Sequence, residues 1–462
     1  MKRVFIFLLI TLQPIFSQNI VSDTIIHEVE RKETLFSISQ KFNVNVNDIL
    51  EFNPNLRNSR LKRKSKILIP VFKLVEDSTL DNKGLLIKED KLYRLDSIFI
   101  KKRKKDSQLN LSVLLPFRSK TVNYDSVQEV ESLLEDRNLY TITLDFYSGI
   151  LYAIEDLKEL NIFVNVNVFD TENSVDKLNE ISSSNLIKNS DVIIGPLIPR
   201  NFEAFSNIKL LESIPKVFPL STIPIKIIKG VIQSVTPKKL LRERMINYLD
   251  KNIDRGENIV IIADSLNNEV DSQLLKIFPN AIKIKPEFEG YILPELLDSL
   301  LVDSLPNKVI VESEIFTLIS SVVSQLNSQI TSERDVKLYT TYRGNQYDDP
   351  SINVKDLGNL KFTYTSISKK INTDSISKFE SRYLNLYGSL PNKDVIRGYD
   401  VTKDILLRVL IDKNLDRTVK YDEQTYIESK FLYFKDSLGG LFNSSMFILR
   451  HNDYEVEEII DQ

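Results

Sequence analysis

The sequence predicts an α/β protein with two lobes, preceded by a small strand–helix–helix–strand domain. The first observation is residues 191–197 (DVIIGPL), where an acidic start, an apolar run and a Gly–Pro stop are typical of a parallel strand ending in a loop. The second is the alternation of strand and helix patterns from Leu109 onwards, which restarts near residue 236 and favours parallel sheets. The third is a compact set of strand and helix signals within residues 27–70.

Length and composition are those of an ordinary folded protein. With 462 residues and 42% hydrophobic content, the chain is long enough for two or three packed domains. Its formal net charge of -3 gives no overall attraction to nucleic acid or to an anionic membrane, so neither is a predicted partner. Because cysteine is absent, we expect no disulfide, thiolate metal site, cysteine nucleophile or lipid-modified cysteine.

Candidates for catalysis are few. The two histidines, His27 and His451, lie in unrelated segments, which gives no material for a histidine dyad or a multi-histidine metal site. Asp264 and Glu312 follow predicted strands, but nothing beyond that position marks them as the carboxylate pair of a glycosidase. We therefore predict a protein that is not an enzyme and has no catalytic residues, metal or cofactor.

The first 17 residues have the pattern of a secretory signal peptide. Lys2 and Arg3 form the charged start, residues 4–12 the apolar core, and residues 15–17 a cleavage site before Gln18. Neither this segment nor a later one reaches the roughly 20 apolar residues of a membrane-spanning helix. The sequence therefore predicts an exported protein that is periplasmic or associated with the cell wall.

Residues 25–71 are predicted to form the small domain. Short strands at its ends enclose a helix opened by Thr34, a turn at residues 43–46 and a helix over residues 47–52. The segment resembles the LysM domain through motifs in the family's order: His27-x-Val29, Glu33-Thr34-Leu35, Ile38-Ser39, Phe42-x-Val44, Ile49-Leu50, Asn53-Pro54 and Ile67-Leu68-Ile69-Pro70. It departs from the family at Lys32 and Lys64, where glycine is usual.

The LysM resemblance implies binding to glycans that contain N-acetylglucosamine, above all peptidoglycan. The expected shallow groove lies between the loop after the first strand and the loop after the second helix, and its residues are Glu33, Thr34, Leu35, Phe36, Asn53, Pro54, Asn55 and Leu56. Two alternatives stay open: Leu35 belongs to the core, and Asn53-Pro54 only ends the helix.

Residues 72–109 are predicted to be a linker. It contains the basic run KKRKK at residues 101–105, which in an exported protein is more typical of a solvated linker than of a nucleic-acid site. Six further cations lie between Arg57 and Lys66 and would favour an anionic cell wall without specifying it.

Residues 110–455 are predicted to form the two-lobed domain. The first half follows the order strand 111–115, helix 144–160, strand 163–169, helix 175–188, strand 192–194 and strand 216–220. The second half repeats this logic in a helix at 238–249, strands at 259–263, 281–285, 308–312 and 337–341, and the helices between them. We assign lobe 1 to about residues 110–230 and 366–412, and lobe 2 to about residues 236–360 and 425–455.

This domain resembles the type I periplasmic binding proteins, the family of branched-chain amino-acid receptors. The motifs that carry the resemblance are Phe146-x-x-Gly149-x-x-x-Ala153-Ile154, Asp170-Thr171-Glu172, Val192-Ile193-Ile194-Gly195-Pro196, Pro219-Leu220-Ser221-Thr222 and Gly398-Tyr399-Asp400, with Val401 in place of the usual alanine. The family's fold implies a ligand cleft between the lobes. Its expected residues here are Phe117, Leu197, Arg200, Ser221, Thr222 and Tyr399.

The two resemblances leave three classes of function open: a scaffold that docks a cell-wall enzyme, a receptor for a small molecule such as an amino acid or a muropeptide, and an enzyme. The loop at residues 197–200 lacks the small hydroxyl residues with which the receptors hold a ligand carboxylate, and this favours the scaffold. Ser221 and Thr222 retain the other half of that pattern and favour the receptor. The sequence does not distinguish a ligand, a partner or an oligomeric state.

Overall fold

The computed structural model describes residues 21–29, 38, 49–50, 52–53, 56, 63–72, 107–286, 290–369 and 377–460. The chain forms two compact units, Met1–Lys91 and Leu92–Gln462. The predicted signal peptide and most of the predicted linker lie outside the described residues.

The small unit is built on one antiparallel strand pair. Strand β1 (Val21–Glu28) pairs with β2 (Lys66–Phe72), so that Ile25 lies opposite Ile69. A small apolar core joins the strands to the helical residues between them, and its members are Val29, Ile38, Ile49, Ile67 and Ile69. Lys64, at the position where the LysM resemblance implies glycine, has φ 65°, in the left-handed region that glycine adopts most easily.

The large unit alternates strands and helices as the sequence predicts. Its strands are β3 (Ser107–Leu115), β4 (Ile162–Asp170), β5 (Val192–Ile194), β6 (Lys216–Phe218), β7 (Val231–Gln233), β8 (Asn258–Ala263), β9 (Ile282–Ile284), β10 (Asn307–Glu312), β11 (Val336–Tyr339), β12 (Thr363–Ser366), β13 (Gln424–Thr425), β14 (Lys430–Phe431), β15 (Tyr433–Lys435), β16 (Leu441–Asn443), β17 (Phe447–Asn452) and β18 (Glu455–Glu458).

The helices fill the connections between these strands. They are α1 (Val127–Glu135), α2 (Leu139–Glu159), α3 (Val175–Ser182), α4 (Asn185–Lys188), α5 (Pro199–Ser206), α6 (Lys238–Asn252), α7 (Asn268–Ile277), α8 (Pro294–Leu300), α9 (Phe316–Ser328), α10 (Val354–Asn359), α11 (Lys378–Tyr387) and α12 (Lys393–Ile411).

Two seven-stranded sheets define the lobes. The lobe-1 sheet has the order β15-β16-β7-β6-β5-β3-β4, and the lobe-2 sheet has the order β18-β17-β12-β11-β10-β8-β9. In each sheet the central strands are parallel, and antiparallel pairs occur only toward the edge that the C-terminal strands form. The predicted parallel α/β architecture is confirmed.

The chain's final passage between the lobes differs from the prediction in two places. Strand β12 lies beyond residue 360, where we ended this part of lobe 2, but it belongs to the lobe-2 sheet because it pairs with β11 and β17. Strands β15 and β16, which we assigned to lobe 2, extend the lobe-1 sheet, since β16 pairs in parallel with β7. Only β17 and β18 return to lobe 2.

Two glycines in the family-like motifs let α2 and α12 cross in close contact. A Cβ on Gly149 would lie 2.0 Å from the Val395 carbonyl oxygen, and a Cβ on Gly398 would lie 2.2 Å from that of Phe146. Any side chain at either position would therefore separate the helices. The two motifs are partners in one helix–helix contact of lobe 1.

Candidate functional site

A cavity of about 2090 Å³ lies between the two lobes. Lobe 1 lines it with the segment around Arg137, the loop at residues 220–224 and the start of α12. Lobe 2 lines it with the segment from Tyr342 to Val354 and with β12. These segments follow the carboxyl ends of parallel strands or begin helices, as expected for a site in an open α/β sheet.

Ser221 and Thr222 line the cavity, as the sequence predicts. The Thr222 hydroxyl lies 3.0 Å from the Tyr342 hydroxyl, which bridges the two lobes. Lys238 lies 4.3 Å above the Tyr342 ring and forms an ion pair with Glu314. The Thr222 hydroxyl, which was predicted to contact a ligand, is therefore already hydrogen-bonded within the protein.

Arg397 holds this wall of the cavity in place. It is 8% exposed, and its guanidinium donates to the Pro219 carbonyl (3.2 Å), the Ser234 carbonyl (2.8 Å) and the Ser429 hydroxyl (3.1 Å). Burial lowers the pKa of Arg397 to about 10. Its contacts join the loop that carries Ser221 to the β13–β14 segment that follows α12.

Asp400, one turn further along α12, holds the same β13–β14 segment. Its carboxylate accepts hydrogen bonds from the backbone N–H groups of Ile427 (3.0 Å), Glu428 (3.0 Å) and Ser429 (2.9 Å). Complete burial raises the pKa of Asp400 to about 6, although these N–H groups favour the charged form. The Asp of the Gly398-Tyr399-Asp400 motif therefore has a structural role here.

Four other residues predicted for the cleft are absent from the cavity lining among the described residues. Tyr399 is 3% exposed, its hydroxyl donates a hydrogen bond to Asp156, and its ring packs with Tyr152 inside lobe 1. Its assignment to the cleft is therefore wrong. Leu197 is 4% exposed and belongs to the lobe-1 core. Phe117 packs edge-on against Tyr147 with 5.4 Å between ring centres, and Arg200 is exposed on α5.

The lobe-2 side contains a feature that the sequence did not indicate. Arg343, Tyr364, His451 and Tyr454 line one end of the cavity, and we call this set the lobe-2 groove. The Arg343 guanidinium lies 5.1 Å from the Tyr364 ring centre, and the Tyr364 and His451 rings are 5.8 Å apart. Arg343 and Tyr364 lie far in sequence from His451 and Tyr454, so the folded sheet brings the two pairs together.

The predicted glycan site of the small unit is described only in part. The Asn53 amide donates to the Ile49 carbonyl (2.7 Å) and the Leu68 carbonyl (2.6 Å), and its oxygen accepts from the Leu68 N–H (2.8 Å). This side chain ties the helical segment to β2, which gives Asn53 a structural role, and its contact with a glycan stays a prediction. Leu56 packs against the small core. Glu33, Thr34, Leu35, Phe36, Pro54 and Asn55 lie outside the described residues.

The described part of the chain shows neither a metal-binding cluster nor a membrane-spanning helix. No group of three or more His, Cys, Asp or Glu side chains is arranged to hold a metal ion there. Within the same residues, no helix is long and apolar enough to cross a membrane.

The fold of the large unit is shared with solved ligand-binding proteins. A branched-chain amino acid ABC transporter protein from Rhodospirillum rubrum aligns with a TM-score of 0.54 and 12% identity, covering 76% of this chain and 100% of its own. A periplasmic ligand-binding protein of the same transporter class from Burkholderia xenovorans aligns with a TM-score of 0.50 and 11% identity, covering 76% and 95%. Full-length LpoA from Haemophilus influenzae gives a TM-score of 0.49 and 11% identity, covering 77% and 60%. The large unit therefore has the fold of the type I periplasmic binding proteins.

The small unit matches a family directly, since residues 27–70 match the LysM domain model. A probable N-acetylmuramoyl-L-alanine amidase AmiB from Haemophilus influenzae is 33% identical over 94 residues, 20% of this chain and 20% of the amidase. This match comes from the LysM region. The chain thus carries a LysM domain followed by a domain with the type I periplasmic-binding-protein fold, and it shares about a fifth of the amidase's length.

Proposed function

We propose that this protein binds peptidoglycan in the cell envelope and uses its two-lobed domain to dock cell-wall machinery, without catalysing a reaction itself. The observation that carries the proposal is the LysM match over residues 27–70, because it joins a glycan-binding module to a fold that otherwise binds ligands between lobes. The apolar, positively charged start of the sequence supports export to that compartment.

The loop at residues 197–200 argues against a standard amino-acid receptor. A zwitterion enclosed between lobes needs its carboxylate fully hydrogen-bonded, since an unpaired buried charge costs several kcal/mol. Here Ile198 stands at the N-cap of α5 without a side-chain hydrogen bond, and Pro199 supplies no N–H at the first helical position. Neither Leu197 nor Arg200 lines the cavity.

The size of the cavity supports a larger occupant. Sites for small molecules typically occupy about 300–1,000 Å³. The cavity here has about 2090 Å³, and the Thr222–Tyr342 contact crosses it. A glycan strand, a peptide or a segment of a partner protein fits this volume better than one amino acid.

The receptor remains the second candidate because Ser221 and Thr222 line the cavity. A thermal-shift screen with free amino acids and muropeptides distinguishes the two functions. Binding at 100 times Kd would stabilise the protein by about 2.7 kcal/mol, a shift of a few degrees in Tm. We expect millimolar amino acids to leave Tm almost unchanged. A saturable shift that Ser221→Ala abolishes would favour the receptor.

Co-sedimentation with purified sacculi tests peptidoglycan binding by the full chain. We expect the protein to pellet, and Thr34→Arg to reduce pelleting because this residue lies on the predicted groove loop. Protein that stays in the supernatant at low and moderate salt would refute the proposal. Binding lost only in high salt would instead reflect the six cations between Arg57 and Lys66.

Crosslinking in cells tests the docking role. We expect capture of a cell-wall enzyme, with the crosslinks lying on the large unit and persisting in the Thr34→Arg variant. If crosslinks fall only on the LysM domain, or if no cell-wall enzyme is captured while pelleting is normal, the docking role is wrong and peptidoglycan binding stands alone.

A further inference from the structure

The lobe-2 groove combines buried polar atoms with an exposed aromatic ring. Arg343 follows β11, Tyr364 lies on β12, His451 on β17 and Tyr454 in the turn before β18. His451 and Tyr364 are each 5% exposed, whereas Tyr454 is 67% exposed, and all three line the cavity. The groove therefore has buried polar side chains in its interior and an exposed aromatic ring beside them.

Polar atoms inside the groove lack partners. Among the described residues, neither the Nδ1 nor the Nε2 atom of His451 has a hydrogen-bond partner, and the same is true of the Arg343 Nε atom. A buried polar group left unpaired is destabilising. A ligand that supplies an acceptor to Arg343 and a hydrogen-bond partner to His451 would recover this loss.

The charges around the groove favour a neutral ligand. The Arg343 Nη2 atom already donates to Asp348 at 2.6 Å, and Lys393 of lobe 1 lies 3.8 Å from the same carboxylate. Asp349 follows directly and also lines the cavity. Burial and the neighbouring Arg343 lower the pKa of His451 to about 4, so the ring is neutral at pH 7. No excess positive charge is left to offset the desolvation of an anion.

Tyr454 supplies the surface that a sugar ring needs. An aromatic ring offers a flat apolar area of low conformational entropy with a polar tip. The interior offers N–H donors to an amide carbonyl, and the buried apolar side chains of Leu357 and Leu449 line the same cavity. An acetamido group combines a carbonyl acceptor, an N–H donor and a methyl group, which suits this mixture of donors and apolar area.

We propose that the lobe-2 groove binds a neutral N-acetylated sugar, with the acetamido carbonyl accepting from the Arg343 Nε–H, the acetamido group reaching His451, and the sugar ring on Tyr454. This proposal extends the proposed function and rests on it, because peptidoglycan binding is what would supply the glycan. It gives the chain a second glycan site, in the large unit, separate from the one predicted in the LysM domain.

The two histidines make the two sites separately observable in the full chain. His27 lies in β1 of the LysM domain and His451 in the groove. In protein labelled at histidine, we expect the His451 ring signals to shift saturably with an N-acetylglucosamine tetrasaccharide. The matched glucose tetrasaccharide, which lacks the acetamido groups, should leave them unchanged. Equal shifts with both sugars, or no His451 shift at saturating sugar, would overturn the groove proposal.

The responses of the two signals also separate the two proposals. A response of His27 alone, with normal pelleting on sacculi, would leave peptidoglycan binding intact and refute the groove site. A His451 response without pelleting would support the groove site and refute LysM-mediated binding to the wall.

A matched pair of tyrosine variants sharpens the test. Tyr454 and Tyr124 are 67% and 69% exposed, and only Tyr454 lines the cavity. Tyr454→Ala should weaken the affinity read from His451 about 10-fold, whereas Tyr124→Ala should not change it. Arg343→Lys keeps the positive charge but removes the Nε–H, and it should weaken the sugar affinity at least as much. Unchanged affinity in both Tyr454→Ala and Arg343→Lys would contradict the proposal.

Discussion

The two walls of the interlobe cavity differ in how their polar groups are satisfied. On lobe 1, Arg137 makes a two-pronged contact with Asp394 at 3.0 and 3.1 Å, and Arg397 donates to three partners. On lobe 2, Arg343 and His451 keep nitrogen atoms without partners among the described residues. The polar side chains of the lobe-1 wall are therefore hydrogen-bonded within the protein. Those of the lobe-2 wall include nitrogen atoms that could still bond to a ligand.

Removing Arg397 should have the largest effect on stability. Arg397→Met keeps most of the side-chain volume but leaves the Pro219 and Ser234 carbonyls without their donor. We expect a loss of about 3–5 kcal/mol in the free energy of unfolding, measured by urea denaturation. Arg343→Met is the matched change on lobe 2 and should cost less, since it loses one ion pair with the exposed Asp348, and its Nε has no partner to lose. Equal losses of stability in the two variants would contradict this difference between the two walls.

Acidification should lower the stability of the protein through His451, the buried histidine of lobe 2. The pKa of His451 is lowered to about 4 by burial and by Arg343, against the opposing effect of Asp348, so the unfolded chain binds a proton first. Stability is therefore lost as the pH falls from about 6.5 to about 4, by about 3 kcal/mol in total from this group. His451→Phe should be less sensitive to acid across this window in urea titrations. If His451→Phe is as acid-sensitive as the wild type, His451 is not the cause of this pH dependence.

Asp400 should respond to pH in the opposite direction. Burial raises its pKa to about 6, above the usual 3.8, so the folded state holds this proton more tightly than the unfolded chain does. The contribution of Asp400 is fully present below about pH 3.8 and is lost as the pH rises through about 6, by about 3 kcal/mol. Carboxyl NMR of the folded protein should record a midpoint near 6. A midpoint below 4 would show that the N–H groups of residues 427–429 outweigh burial.

Tyr454 should matter least for stability. Its side chain is 67% exposed, and surface substitutions usually change the free energy of unfolding by less than about 0.5 kcal/mol. Tyr454→Ala should therefore leave the urea midpoint unchanged. A larger loss would mean that the ring supports the β17–β18 hairpin rather than offering a binding surface.

The sequence predicted the parts of the fold that depend on local patterns. The strand at residues 192–194 has the expected apolar run, and Ser221 lies in the cleft because it follows the end of a parallel strand. The region of β15 also has an apolar run, at residues 431–434, but the lobe of β15 and β16 depends on pairing with β7, about two hundred positions earlier. The lobe assignment of short strands with distant partners therefore escaped prediction.

The errors in the candidate site have a similar cause. Helix α12 is buried on nearly every side, so its periodicity does not reveal which face meets the cavity, and we chose Tyr399 where Arg397 lines it. His451 carried no local signal, because its role depends on contacts with Tyr364 and Arg343 that form only across the sheet.

The late pairing of β16 and β17 has a consequence for how the protein is made. The lobe-1 sheet needs residues 441–443 to continue beyond β7, and the lobe-2 sheet needs residues 447–452 to cover β12. During synthesis, both sheets must therefore keep an open edge until residues 441–452 have been produced. The two lobes reach completion together, so a nascent chain stopped after α12 would expose two unpaired strands instead of displaying one finished lobe.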